Sequence, residues 1–300
     1  MISKIENFRK YFFILFSISI LFIFFFYNFK FSLTNQSYIL FFLVSAIGIP
    51  HGFFDFSIGK KIFKKYQSMW LFYFVLSYVS ISTIYFAAWF IFPSISLIFF
   101  LLIASYHFGF EEFNYMKNSK TSYLNANIFF KGTIIVFTPI LFHNDQVNYL
   151  FSILIGYDFP STQISFLQKL IWSFLSISQF LFFDREENIF HKIESIAYFT
   201  NFVLLPPLIS FTIYFCFSHS IKHFLESIFV NKYIPMNFTV KGFLFLIIVL
   251  SMIFSIFSIF FISNHYNISI NETIIKFIFI VLACLTLPHM IFNMWPYREK

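Results

Sequence analysis

Long apolar runs separated by short polar stretches dominate the chain from residue 11 onward. Segments of about 17–25 mainly apolar residues are long enough to cross a bilayer as helices. The segments that reach or approach this length are 11–28, 38–58, 69–92, 95–114, 127–142, 161–183, 189–205, 207–227, 242–263 and 273–294. A β-barrel would instead alternate apolar and polar residues over about 10 positions. We therefore predict an all-α, polytopic transmembrane bundle of about 10 spans, within a range of roughly 8–10.

The N-terminal segment has a basic start, Lys4, Arg9 and Lys10, followed by an apolar run. This pattern is similar to a signal peptide, but no small-residue cleavage site follows the run. We interpret it as a retained first span. No polar stretch is long enough to be a linker or a soluble domain, so residues 1–300 are predicted to form a single integral-membrane domain.

Pro206-Pro207 separates two apolar segments and leaves two interpretations, a tight hairpin or a kink within one long helix. The positive-inside rule favours the hairpin. With ten spans and a cytoplasmic N-terminus, 17 of the 20 basic residues lie on the inner side. A single crossing at this point would place Lys232, Lys241, Arg298 and Lys300 outside. Both termini are therefore predicted to be cytoplasmic, in a cell membrane.

Composition narrows the class of protein further. Only 11% of residues are charged and 59% are hydrophobic, whereas soluble domains have about 25% charged residues. A soluble enzyme, a nucleic-acid-binding protein and a disordered chain are excluded on this ground. The net charge of +7 is attributed to basic residues in cytoplasmic loops. Cys216 and Cys284 both lie in apolar runs and indicate neither a disulfide framework nor a cysteine zinc site.

Titratable residues inside predicted spans are the candidate functional residues, because such side chains are costly in a bilayer. They are His51, Asp55, His107, Glu111, Glu112, His219, His223, Glu226 and His289. The five histidines all fall in the last third of a span that runs from outside to inside, which predicts a shared site at one depth. His219 and His223, at i and i+4, share one helix face. For His143, His191 and His265 we expect ordinary solvated side chains.

Four of these segments, taken in order, resemble the Brp/Blh family of membrane β-carotene 15,15′-dioxygenases. They are Gly48–Asp55 (GIPHGFFD), Ser105–Glu112 (SYHFGFEE), His219–His223 (HSIKH) and Leu285–His289 (LTLPH). The chain departs from the usual motifs at Phe56, where His is common, and at Glu112, where Asp is common. It also has Ser218 where Trp is usual and Lys222 where Arg is usual. No ligand histidine is missing.

The resemblance implies a non-haem Fe(II) dioxygenase that cleaves the central double bond of β-carotene with O2 to give two all-trans retinals. It implies that His51, His107, His219 and His223 are both the metal ligands and the catalytic residues. We expect Asp55, Glu112 and His289 to lie behind the ligands or beside the substrate. Membrane lipid and a microbial rhodopsin that takes up retinal are the expected partners.

Three alternatives remain open at this point. A membrane di-iron desaturase needs about eight histidine ligands, whereas three of the eight histidines here lie outside the cluster. A transporter could use intramembrane His, Asp and Glu for metal or proton handling, although no internal repeat is visible. The third alternative is a family member that acts on another carotenoid or has lost activity.

Overall fold

The computed structural model describes residues 2–28, 30–113, 122–160, 163–183, 189–225 and 238–294. Within these ranges every regular element is helical, which confirms the all-α prediction. The α-helices are α1 (Ile2–Phe26), α2 (Leu33–Leu43), α3 (Asp55–Ile62), α4 (Trp70–Ile91), α5 (Pro93–Phe113), α6 (Ser122–Phe142), α7 (Asn144–Ile155), α8 (Phe166–Ser178), α9 (Ile189–Leu204), α10 (Pro207–Thr212), α11 (Ile221–Leu225), α12 (Phe238–Tyr266) and α13 (Ile270–Met294).

Local sequence explains where several helices begin. The side chain of Ser32 caps α2 by accepting a hydrogen bond from the backbone N–H of Asn35. Ser165 and Gln168 form a reciprocal capping box at the start of α8. These contacts satisfy N–H groups that have no partner within the first turn of a helix.

Six helical segments of the described chain are long and apolar enough to cross a membrane, and α6 and α7 would add a seventh if that pair, bent by 105°, is one span. Large apolar side chains point outward from these segments, including Phe90, Phe245 and Phe257, each about two-thirds exposed. This surface is that of a multi-pass membrane protein. The ten predicted segments all contain helix, but ten crossings are not confirmed. Two of them are short or irregular: α8 has 13 residues, and the helix that begins at Pro207 changes from α to π geometry after six residues.

The break at Pro206-Pro207 is a hairpin, as interpreted from the charge pattern. Helix α9 ends at Leu204, and α10 begins at Pro207 after an extended Pro206. Residues on the two sides of the break face one another: the Tyr198 hydroxyl is 2.6 Å from Ser218 Oγ, and the Tyr198 and Tyr214 rings are 5.1 Å apart. The chain therefore folds back, and α9 packs antiparallel to the segment that contains His219.

Two segments depart from α-helix where candidate histidines lie. A π-helical stretch, Val44–Gly48, is followed by a 3-10 stretch, Ile49–Phe54, that contains His51. A second π-helical stretch, Ile213–Ser220, contains His219. Pro50, in the 3-10 stretch, has no N–H to offer a helical hydrogen bond. Such π turns are frequent at functional sites because they redirect side chains.

Helices α5 and α6 lie unusually close together, which fixes the position of His107. A Cβ added at Gly109 would overlap the backbone carbonyl of Ile128, and one at Gly132 would overlap that of Ser105. Small residues at a helix–helix contact permit this approach in membrane bundles. Gly109 beside His107 is therefore explained by helix packing.

Candidate active site

Five histidines meet in the interior of the bundle, as their common depth predicts. Their neighbouring ring centroids lie 4.9–5.5 Å apart. The members of this histidine cluster are His51, His107, His219, His223 and His289. Four are buried and His51 is half-buried. Segments that are distant along the chain thus supply one compact set of imidazoles.

His219 and His223 do share one helix face, and both rings contact His51, at 5.4 and 5.5 Å. His107 Nε2 lies 3.3 Å from His219 Nε2 across the cluster. Two imidazole nitrogens at this distance are held by one shared proton or by a common electrophile between them. The arrangement is suited to nitrogen ligation.

His289 stands within the histidine cluster. Its ring centroid is 5.1–5.2 Å from those of His51, His107 and His223. Its Nδ1 lies 2.8 Å from both carboxylate oxygens of Asp55, with only 2–4% of either side chain exposed. A carboxylate that engages Nδ1 fixes the ring orientation and leaves Nε2 for another partner.

Two residues that sequence reasoning missed complete the surroundings of Asp55. The Tyr78 hydroxyl donates to Asp55 Oδ2 at 3.0 Å, and the Asn293 amide donates to Oδ1 at 3.4 Å. Neither residue belongs to a recognisable motif. The i, i+4 spacing of His289 and Asn293 on α13 is the one signal that could have drawn attention to Asn293.

The surroundings of the other imidazole nitrogens are consistent with a metal site. His51 Nδ1 is engaged by the carbonyl oxygen of Gly48. His223 Nδ1 is buried without a hydrogen-bond partner in the described part of the protein. One ligand atom each from Asp55, His223 and His289 also lie within 4.8 Å of one another. Imidazole suits Fe, Zn, Cu and Ni, so this donor set fits a transition metal.

The other predicted residues lie elsewhere. The side chain of Glu112 and all of Glu226 fall outside the described residues. His265 is exposed, as expected. His143 is half-buried between α6 and α7 and its Nε2 is buried, so it is not the solvated side chain that was predicted. The prediction of a solvated His191 is wrong: it is 3% exposed, and its Nε2 lies 2.9 Å from Lys131 Nζ. The α9 face that carries His191 packs inward against α6 and α1.

Ser218, where the related motif has Trp, takes part in a buried polar group adjoining the histidine cluster. Arg9 Nη1 donates to Glu194 Oε1 at 2.6 Å and to Ser218 Oγ at 3.2 Å. The Tyr198 hydroxyl also meets Ser218 Oγ. The residue that precedes His219 is thereby tied to α1 and α9. Lys222, where Arg is usual, donates to the backbone carbonyl of Glu111 at 2.7 Å.

An apolar cavity of about 420 Å³ ends on the histidine cluster; we call it the lateral cavity. His51, His107 and His289 line its inner end, together with Tyr78. Its outer end lies between α4 and α12, where Val79 and Phe243 are each more than half exposed. Gly52 borders it, since an added Cβ would find its nearest neighbours at 3.9–4.0 Å. The cavity thus joins the histidine cluster to the apolar outer surface of the bundle.

Comparison with known proteins agrees with this site. The family model of beta-carotene 15,15′-dioxygenase matches residues 42–296, which include every member of the histidine cluster. A beta-carotene 15,15′-dioxygenase from the uncultured marine bacterium 66A03 is 32% identical over 256 residues, covering 83% of this chain and 90% of that protein. No solved structure matches the chain. The chain belongs to the beta-carotene 15,15′-dioxygenase family of enzymes.

Proposed function

We propose that this protein cleaves the central 15,15′ double bond of β-carotene with O2. The observation that carries the proposal is the lateral cavity, an apolar space that begins at the outer surface of the bundle and ends on buried imidazoles. A long hydrocarbon dissolved in the bilayer can enter such a cavity without crossing water. The reaction is balanced: one C40 polyene and one O2 give two C20 aldehydes, the all-trans retinals.

The proposed metal is one Fe(II) held by His51, His107, His219 and His223. The clustering of these rings and the unpartnered Nδ1 of His223 support the assignment. When bound, the iron supplies the means to combine O2 with the double bond. The protein's own residues hold the imidazoles in place and exclude water from the site.

Asp55 and His289 have a positioning role in this proposal. The carboxylate fixes the His289 ring at the inner end of the lateral cavity, beside the place where the central double bond must lie. Tyr78 and Asn293 hold the carboxylate in turn. Geometry of this kind keeps two reactants in contact, which lowers the entropic part of the barrier. We propose that Glu112 supports the site from the end of α5.

The proposed setting is a cell membrane, with lipid around the exposed apolar helices. Retinal leaves the lateral cavity into the bilayer, where a microbial rhodopsin is the proposed acceptor. Such a route needs no soluble carrier, because substrate and product are both apolar.

Expression in a β-carotene-producing bacterium tests the function. Bleaching of the cells, with retinal as the product found by chromatography, is the expected result. His219→Ala should abolish bleaching, whereas His265→Ala, at an exposed position outside the cluster, should not. A product other than retinal would identify a different carotenoid or bond. Proton-coupled uptake without any cleavage would point to a transporter.

Metal analysis of purified protein tests the ligands separately. We expect about one iron per chain, and a large loss of iron in His51→Ala, His107→Ala, His219→Ala and His223→Ala. His143→Ala is the matched control, since that histidine is half-buried but lies away from the cluster. Stoichiometric iron in His107→Ala and His219→Ala would show the ligand assignment to be wrong.

A further inference from the structure

A second cavity is separated from His219 of the cluster by the ring of Phe108, and we call it the inner cavity. Its volume is about 100 Å³, and apolar side chains alone line it. It is bounded by α5 and α6, through Ala104 and Val136, and by Phe211 near the start of the second π-helical stretch. The activity proposed above does not account for it, and an unfilled apolar cavity destabilises a fold.

Aromatic rings lie between the inner cavity and the histidines. Phe108 lines it, and its ring centroid lies 5.2 Å from that of His219. Phe211 also lines it and stacks on Phe215 at 5.4 Å. Phe215 in turn stacks on His219 at 5.4 Å and lines the lateral cavity. A small molecule that slips past these rings arrives directly at the cluster.

Size and polarity identify the class of ligand. Dry cavities of this kind take up small apolar molecules such as xenon or benzene. At about 100 Å³ the inner cavity is a quarter of the lateral cavity's 420 Å³, too small for half of a C40 polyene unless the rings move far apart. Molecular oxygen is small and apolar, and it dissolves better in hydrocarbon than in water.

We propose that the inner cavity holds O2 and delivers it past Phe108 to the histidine cluster, while the polyene occupies the lateral cavity. The inference rests on the proposed dioxygenase function, which requires both substrates at once. Two separate approaches solve a physical problem, because a polyene seated in the lateral cavity would otherwise block the entry of O2.

The first test uses xenon as an apolar probe and needs no turnover. Xenon-129 NMR of the purified protein should show saturable binding at the inner cavity in addition to any at the lateral cavity, and Ala104→Leu, which fills the inner cavity, should remove that component alone. Val136→Phe fills the same cavity from α6 and serves if the first variant does not fold. Ala88→Leu is the matched control, since Ala88 is half-buried on α4 and lines neither cavity. Xenon binding that is as large in both filled variants as in the wild-type protein would overturn the proposal.

The second test separates the two substrates kinetically. In Ala104→Leu the KM for O2 should rise several-fold, with iron content and the KM for β-carotene unchanged. An unchanged KM for O2 would refute the proposal. A raised KM for β-carotene, or aldehydes of unequal length, would assign the cavity to one arm of the polyene and refute it equally. If the wild-type protein binds xenon but does not cleave β-carotene, the proposed function is refuted. The affinity of the inner cavity for an apolar gas would still stand.

Discussion

The hydrogen bond between Asp55 and His289 ties a buried carboxylate to a histidine that lines the lateral cavity. An isolated carboxylate in this interior would be expensive, and the imidazole, Tyr78 and Asn293 together satisfy it. The motif residues of this site could be predicted because each stands in a recognisable pattern. Tyr78 could not, since one polar residue in an apolar helix carries no spacing signal, and Asn293 had only its i, i+4 spacing from His289.

Asp55→Asn should weaken the enzyme without eliminating it, by about 10–100-fold in activity or metal affinity. The amide oxygen can still accept from His289, but the negative charge is lost. Added iron should partly restore activity, and metal analysis with retinal assays measures both. Of the two tyrosines Tyr73 and Tyr78 on α4, Tyr78 donates to Asp55, so Tyr73→Phe is the control for the matching test of Tyr78→Phe. If Asp55→Asn loses all iron and excess metal does not restore it, Asp55 is a direct ligand and the positioning role is wrong.

His289→Ala should lower cleavage strongly while iron is retained, because the proposed role of His289 is beside the substrate. The measurement is iron content set against retinal formation in the same preparation. If this variant loses its iron, His289 is one of the ligands. Its position among the other rings is compatible with that role.

At the scale of elements, apolar length located helices in all ten predicted segments, but it could not reveal their internal irregularities. The π-helical stretches Val44–Gly48 and Ile213–Ser220 look like ordinary apolar sequence. Helix α7 was not predicted, because residues 144–149 are mostly polar and its buried side chains make only one face. The contacts that settle these details are tertiary, so local pattern does not contain them.

Two glycines beside candidate ligands should respond differently to alanine. Gly109→Ala should destabilise the fold by at least about 1–3 kcal/mol, because the added Cβ overlaps the α6 backbone. Gly52→Ala should leave stability unchanged and raise the KM for β-carotene, because its Cβ projects beside the lateral cavity. Thermal unfolding in detergent and steady-state kinetics separate the two effects. Gly242→Ala, with nothing within 4 Å, is the control; equal loss of stability in all three variants would contradict this account.

The Arg9–Glu194 pair should be a strong link between α1 and α9. Replacing one partner alone, as in Glu194→Gln, leaves a buried charge and should cost about 3–5 kcal/mol. The double replacement Arg9→Met with Glu194→Leu should cost much less, which a double-mutant cycle in thermal unfolding would measure. The control is Glu6→Gln, since Glu6 pairs with Lys10 at 3.3 Å in a more exposed position. Additive effects of the two single changes would show that the pair is not coupled.

At the scale of the whole molecule, the charge pattern makes a prediction about orientation. If the chain has ten spans with both termini inside, topology reporters fused after residues 66, 118, 233 and 300 should all be located in the cytoplasm. A fusion near residue 267, between α12 and α13, should read outside. Fusions at 66 and 233 that read on opposite sides would contradict this topology. The class of protein could be predicted from composition alone, whereas the number of crossings could not, because short and bent helices blur the length criterion.

The contact between Asp55 and His289 joins residues 234 positions apart in the chain. During synthesis His51 enters the membrane early, whereas His289 follows only when the last helix has been made and inserted. A nascent chain therefore carries an incomplete set of imidazoles for nearly the whole of its translation. Any chain cut short before α13 lacks both the histidine partner of Asp55 and part of the inner end of the lateral cavity.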